Sequence, residues 1–144
     1  MEWHDRSFGE LTTVELYAIV ALRERVFVVE QRCAYLDADG HDLHARHLWA
    51  ARDGAPVAYL RILRAGAKYA ETSIGRVIVD ASARGTGLGR ELMRRGISLC
   101  EGPIRIGAQV HLERFYRELG FVSVSPVYDE DGIPHVEMLR PAGS

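Results

Sequence analysis

The sequence predicts an α/β domain of the α+β kind, one layer of sheet with helices packed on it. Three observations point there. Helix-like and strand-like apolar patterns alternate along the 144 residues. Two pairs of strand-like runs flank short Asp/Gly turns and read as hairpins. A glycine-rich stretch, Val77 to Met93 (VIVDASARGTGLGRELM), joins an apolar β-branched run to a helix-like run. The length fits a single domain spanning residues 1–144, and no repeat, low-complexity tract or long linker divides it.

Each element follows from local pattern. Leu11 to Phe27 reads as a helix because Leu16, Ile19, Val20 and Val26 recur at helical spacing, with Thr12 or Thr13 as cap near Glu15. The polar run from Tyr35 to His47, rich in Asp, Gly and His, reads as a loop with room for a short helix. His47–Arg52 and Pro56–Leu63 read as strands joined by a hairpin turn at Asp53-Gly54. Ser73–Val79 is a strand. Gly89–Cys100 is a helix with Leu92, Met93, Ile97 and Cys100 on its apolar side. Ile104–Val110 is a short strand. Leu112–Leu119 is a helix closed by Gly120 as a left-handed cap. Phe121–Tyr128 and Pro134–Leu139 are strands around the turn DEDG.

Composition narrows the function classes. A net charge of −2 with 26% charged residues argues against broad nucleic-acid binding, which needs a basic surface. The first residues, MEWHDRSFGE, are polar and lack the apolar core of a secretory signal. The apolar run Ala18–Leu22 meets Arg-Glu-Arg at once, so no membrane span is expected. Cys33 and Cys100 form no framework, which suits a reduced, cytoplasmic protein.

The glycine stretch carries the strongest chemical signal. Gly85, Gly87 and Gly89 alternate between Arg84 and Arg90 at the entry to a helix. Glycine lets the backbone come close to a ligand, and the amides at a helix N-terminus converge on an anion. The arginines add charge-assisted contacts suited to phosphate. No Lys follows the glycines, so a P-loop is excluded, and the spacing fails the GxGxxG dinucleotide pattern. The competing reading is a flexible turn edged by surface arginines.

ARGTGLGRELM resembles the pyrophosphate loop R/Q-x-x-G-x-G/A of the GNAT superfamily of acyl-coenzyme A-dependent N-acetyltransferases, with Arg84, Gly87 and Gly89 at the motif positions. HLERFYRELGF is similar to that superfamily's second signature, through Tyr116, Gly120 and Phe121. LRERVFVVEQ, YLDADGHD, IGRVIV, GAQVHLERFY and YDEDGIPHVEM, which together span nearly the whole chain, resemble the ElaA-like acetyltransferases. The resemblance implies the GNAT fold, a mixed, largely antiparallel sheet splayed between its fourth and fifth strands and flanked by helices. It implies acetyl-coenzyme A as cosubstrate, no metal, a small-molecule or peptide amine as acceptor, and direct attack in a ternary complex. Homodimers are frequent in the family.

The same resemblance assigns roles. The loop Arg84, Gly85, Thr86, Gly87, Leu88, Gly89 and Arg90 would hold the pyrophosphate. The backbone of Val77, Ile78 and Val79 would pair with the pantetheine arm like an added strand. The Val79 amide would face the developing oxyanion. Tyr116 would protonate the leaving thiolate and contact the coenzyme. Gln109 stands where many members have an Asn that binds pantetheine, so an amide of different reach occupies that position.

Three groups compete for the base that an ammonium acceptor of pKa about 10 requires: Glu30, Glu71 and His111. An ordinary surface or structural role is the alternative for each. The loop DADGHDLHARH fails the EF-hand spacing, and His41, His44 and His47 at intervals of three form a weak zinc pattern. Over a metal site, the preferred reading is an acceptor-pocket loop in which Asp37, Asp39 and Asp42 draw a cationic amine; a plain solvated loop stands level with it. YDEDGIPH is a hairpin turn first and an acceptor contact second. Two further functions stand as alternatives. One is a module that senses acyl-coenzyme A without turnover. The other is a related acyl-coenzyme A transferase with another acceptor.

Overall fold

The computed structural model describes residues 1–143. Its strands are β1 (Glu2–Ser7), β2 (Arg46–Arg52), β3 (Ala55–Leu63), β4 (Thr72–Val79), β5 (Ile104–Gln109), β6 (Val122–Ser123), β7 (Tyr128–Glu130) and β8 (Ile133–Arg140). They form one sheet in the order β1-β2-β3-β4-β5-β8-β6, with β7 also on β8. Every pairing is antiparallel except β4 with β5. The β2–β3 hairpin turns at Asp53 and Gly54, with φ of 52° and 80°, as its Asp-Gly pair predicts.

The helices are α1 (Thr13–Arg23), α2 (Leu88–Ser98) and α3 (Glu113–Arg117). Thr12 starts α1 with a capping box: its hydroxyl accepts from the Glu15 amide at 3.0 Å, and its own amide donates to Glu15 Oε1 at 2.9 Å. The expected helix does not simply end at Phe27. It passes into a π-helical segment, Glu24–Glu30.

The core has two parts, one on each face of the sheet. Ile19, Leu22 and Val26 pack on Trp49, Ala51, Tyr59 and Ile78. Leu88, Leu92, Met93 and Tyr116 pack on Leu60, Ile74, Ile106 and Met138 in the larger cluster. Gly96 lets α2 lie close to the sheet, since a Cβ there would stand 2.8 Å from Leu60 Cδ2.

Two expectations need correction. β1 was not foreseen; its sequence, EWHDRS, is polar and its residues are half-buried at most, because it is the sheet's edge. The strand expected over Phe121–Tyr128 is broken into β6 and β7, and the Ser125 hydroxyl between them accepts from the Glu137 amide at 2.9 Å in place of a backbone partner.

Candidate active site

β4 and β5 pair only at Thr72–Ile104 and Ser73–Arg105 and then diverge. The splay exposes the β4 edge from Ile74 onward. Two features aim that edge outward. Tyr59 lies opposite Ile78 and Arg61 opposite Gly75, so β4 bulges at Arg76, whose φ is +51°. At the strand's end the Asp80 amide donates to the Val57 carbonyl at 2.7 Å. Strand residues turn their backbone groups to alternate sides, so Ile78 faces β3 and Val79 faces the splay. The Val79 carbonyl accordingly accepts from Arg84 Nε at 3.0 Å.

A groove of about 570 Å³ runs along this edge. One end is the glycine loop: Arg84, Gly85 and Gly87 through Arg90 line it, whereas the exposed Thr86 turns its hydroxyl back to donate to the Ala83 carbonyl at 2.7 Å. Gly87 caps α2 with φ of 83°, offers no side-chain acceptor, and has open space where a Cβ would stand. The first amides of α2 are therefore left for an anion. Val77, Ile78 and Val79 form the groove's flank, and Gln109 and Tyr116 its far end.

A second cavity, of about 280 Å³, lies on the other side of that far end. Phe27, Gln31, Val77, Gln109, Leu112 and Tyr116 line both spaces. Gln31 and Gln109 exchange amide contacts at 3.3 and 3.4 Å across this wall. Tyr116 is 6% exposed, and among the described residues no protein group bonds its hydroxyl. Burial holds its pKa well above the ordinary tyrosine value.

The expected bases separate. Glu30 lines the groove but not the second cavity, and its carboxylate grips Arg84 in a two-pronged pair at 2.5 and 3.0 Å. Glu71 lines neither space. Arg105 binds it at 2.9 and 3.0 Å and holds its pKa below the usual carboxylate value. His111 lies on the groove side.

The acidic loop is also corrected. Asp37, Asp39 and Asp42 do not present free charge to a cation. They alternate with Arg23, Arg61 and Arg76 in a closed ring of ion pairs. Arg23 meets Asp37 and Asp42 at 2.7 Å each, Arg61 meets Asp42 and Asp39 at 3.0 and 2.6 Å, and Arg76 meets Asp39 and Asp37 at 3.3 and 2.8 Å. Three charges of each sign cancel. Desolvation works against Asp39 and Asp42, yet the arginines prevail and lower both pKa values. The ring joins the end of α1, the loop, β3 and the β4 bulge. His41 and His44 touch at 3.3 Å, while His47 is buried on Tyr59 and the Asp42 carbonyl at 2.6 and 2.9 Å. No metal-binding group of three is present among the described residues.

The second cavity is lined by Lys68 and Tyr69, which the sequence reading passed over, and by Glu130, Asp131 and His135. The last three belong to YDEDGIPH, read as a hairpin turn first and an acceptor contact second. Among the described residues no helix is long and apolar enough to cross a membrane.

Comparison with known proteins agrees with this geometry. The family model described as an acetyltransferase (GNAT) domain matches residues 23–140. The ElaA protein of Escherichia coli K12 is 44% identical over 147 residues, covering 97% of this chain and 96% of that one. An acyl-CoA N-acyltransferase from Pseudomonas aeruginosa superposes with a TM-score of 0.92 at 43% identity, covering 97% of this chain and 99% of that one. The crystal structure of Escherichia coli ElaA gives a TM-score of 0.91 at 43% identity, over 96% and 98% of the two chains.

Proposed function

The chain belongs to the acetyltransferase (GNAT) family, and from that premise we propose that it transfers an acetyl group from acetyl-coenzyme A to a primary amine by direct attack in a ternary complex. One observation supports this reading most: two separate spaces share a wall that contains Tyr116. A donor in the groove and an acceptor in the second cavity would meet at that wall.

The chemistry follows from the residues. The α2 amides and the loop from Arg84 to Arg90 hold the pyrophosphate. The outward backbone of Val79 pairs with the pantetheine arm. For the oxyanion contact expected at Val79 this reading prefers Val77, supported by Val77 lining both spaces and Val79 only the groove. Two residues apart, they turn their amides the same way. The amine attacks the thioester carbonyl, the C–S bond breaks, and Tyr116 gives its proton to sulfur. Gln109 steadies the arm at the junction, in exchange with Gln31. The acceptor is a small molecule or a peptide amine.

Thermal stability with saturating acetyl-coenzyme A, beside NADH and ATP, tests the donor site. A ligand at about 100 times its Kd stabilises by about 2.7 kcal/mol, which for this size raises Tm by roughly 5–10 °C. A rise confined to acetyl-coenzyme A supports the reading; equal or absent shifts remove it. Thiol release with amines then separates transfer from sensing, since a sensor binds and leaves the thioester intact.

A further inference from the structure

Resting on the transfer reading, we infer that His135 is the general base that takes a proton from the acceptor's ammonium group. A base must lie on the acceptor side of the shared wall. Asp39 is locked between Arg61 and Arg76. Lys68 is a cation. Tyr35 and Tyr69 stay protonated, their pKa values pushed up to about 12 by burial. Cys33 donates to the Asp131 carbonyl at 2.9 Å. Glu130, Asp131 and His135 remain.

His135 differs from the two carboxylates in place and in constraint. Glu130, the last residue of β7, and Asp131, in the turn after it, are exposed, whereas His135 is 7% exposed. It stands opposite Gln109 in the β5–β8 ladder, which sets it level with the wall where groove and cavity meet. Its ring lies beside Tyr128, with centroids 5.9 Å apart and planes 27° apart. Nδ1 is 2.7 Å from the Ile133 carbonyl, which can only accept, so Nδ1 carries the proton. That leaves Nε2 with the lone pair. Nε2 lies 3.4 Å from Glu130 Oε2, a carboxylate placed to face the imidazolium once it forms. The other charged groups lining the cavity are Lys68, Asp131, Asp39, Arg61 and Arg76.

The proton count closes. The ammonium gives one proton to His135 Nε2, and the freed amine forms the C–N bond. The tetrahedral adduct expels the thiolate, which takes the Tyr116 proton. The second proton on nitrogen leaves with collapse to the amide and restores Tyr116. His135 returns its proton to solvent past Glu130. One acetyl group moves, one thiol forms and one proton is released.

The test compares wild type, His135→Gln and Glu130→Gln with acetyl-coenzyme A and two classes of acceptor. One is whichever of ethanolamine, lysine, spermidine and kanamycin the wild type acetylates fastest. The other is hydroxylamine, which is largely uncharged at neutral pH and needs no base. The acetyl-coenzyme A thermal shift shows that each variant is folded. With the alkyl amine His135→Gln falls about 10²-fold in kcat/KM, and with hydroxylamine by no more than about threefold. The alkyl-amine rate of the variant recovers toward wild type at high pH, where the amine is neutral. Glu130→Gln, an exposed change, gives a smaller loss of the same pattern. Equal losses with both acceptors, or no loss with either, overturn the assignment to His135. A wild type that binds acetyl-coenzyme A yet releases no thiol with any acceptor removes the transfer reading, and the base with it.

Discussion

Tyr116 is a buried residue whose hydroxyl is free of protein partners among the described residues, at the wall between two spaces. Replacing it with Phe keeps the ring contacts to Phe115 and Phe121 and removes only the hydroxyl. The expected result is a fall in kcat of about 10²-fold with the acetyl-coenzyme A thermal shift unchanged, read by thiol release. Glu30 leads to the opposite expectation. Its carboxylate holds the guanidinium that the family motif assigns to pyrophosphate. Glu30→Gln should therefore bind acetyl-coenzyme A more tightly, by a few-fold, since exposed pairs carry about 0.2–1 kcal/mol; titration calorimetry decides. At this scale the sequence was legible where a short motif surrounds the residue, as for Tyr116. It was not legible for Glu30 or Glu71, because their arginine partners lie 54 and 34 positions away.

The α2 start and the β4 bulge are the elements that build the groove. Gly87 sits at φ 83°, so Gly87→Ala should cost about 1–2 kcal/mol by placing a Cβ in the left-handed region, and the shifted amides should weaken acetyl-coenzyme A binding. Denaturant unfolding and calorimetry on one variant read both effects. The bulge is held differently, through Arg76 in the ion-pair ring. Arg61 is 1% exposed and ties β3 into that ring. Arg61→Ala leaves Asp39 and Asp42 partly unpaired and should cost about 3–5 kcal/mol, visible as a lower denaturation midpoint at constant slope. The glycine loop and the β2–β3 hairpin were legible because their geometry is local. The bulge was not, since it depends on register with β3, and the π-helical turn Glu24–Glu30 interrupts a pattern that reads as continuous helix.

The whole molecule answers to pH through the same ring. Asp39 and Asp42 have folded pKa values below the unfolded value of about 3.9, held there by arginine against the cost of desolvation. The stability they contribute is full above the unfolded pKa and lost as pH falls through the folded values. Thermal unfolding should therefore show a Tm that is flat near neutrality and declines below about pH 4, with Asp39→Asn lowering the plateau and flattening the decline. An equally steep decline in that variant would move the acid sensitivity elsewhere. The sequence by itself determined the family, the strand–glycine loop–helix unit, and most elements in order, because these rest on backbone preferences and motifs spanning a dozen residues or fewer. Only the tertiary structure decided which charges are spent and which are free. It turned three aspartates that looked like an amine lure into a neutral ring and assigned Glu71 to Arg105. It also brought His135 level with Gln109 beside the second cavity. The physical reason is that ion pairs and cavities form between segments far apart in the chain, and a charge's partner is set by the sheet order that brings those segments together.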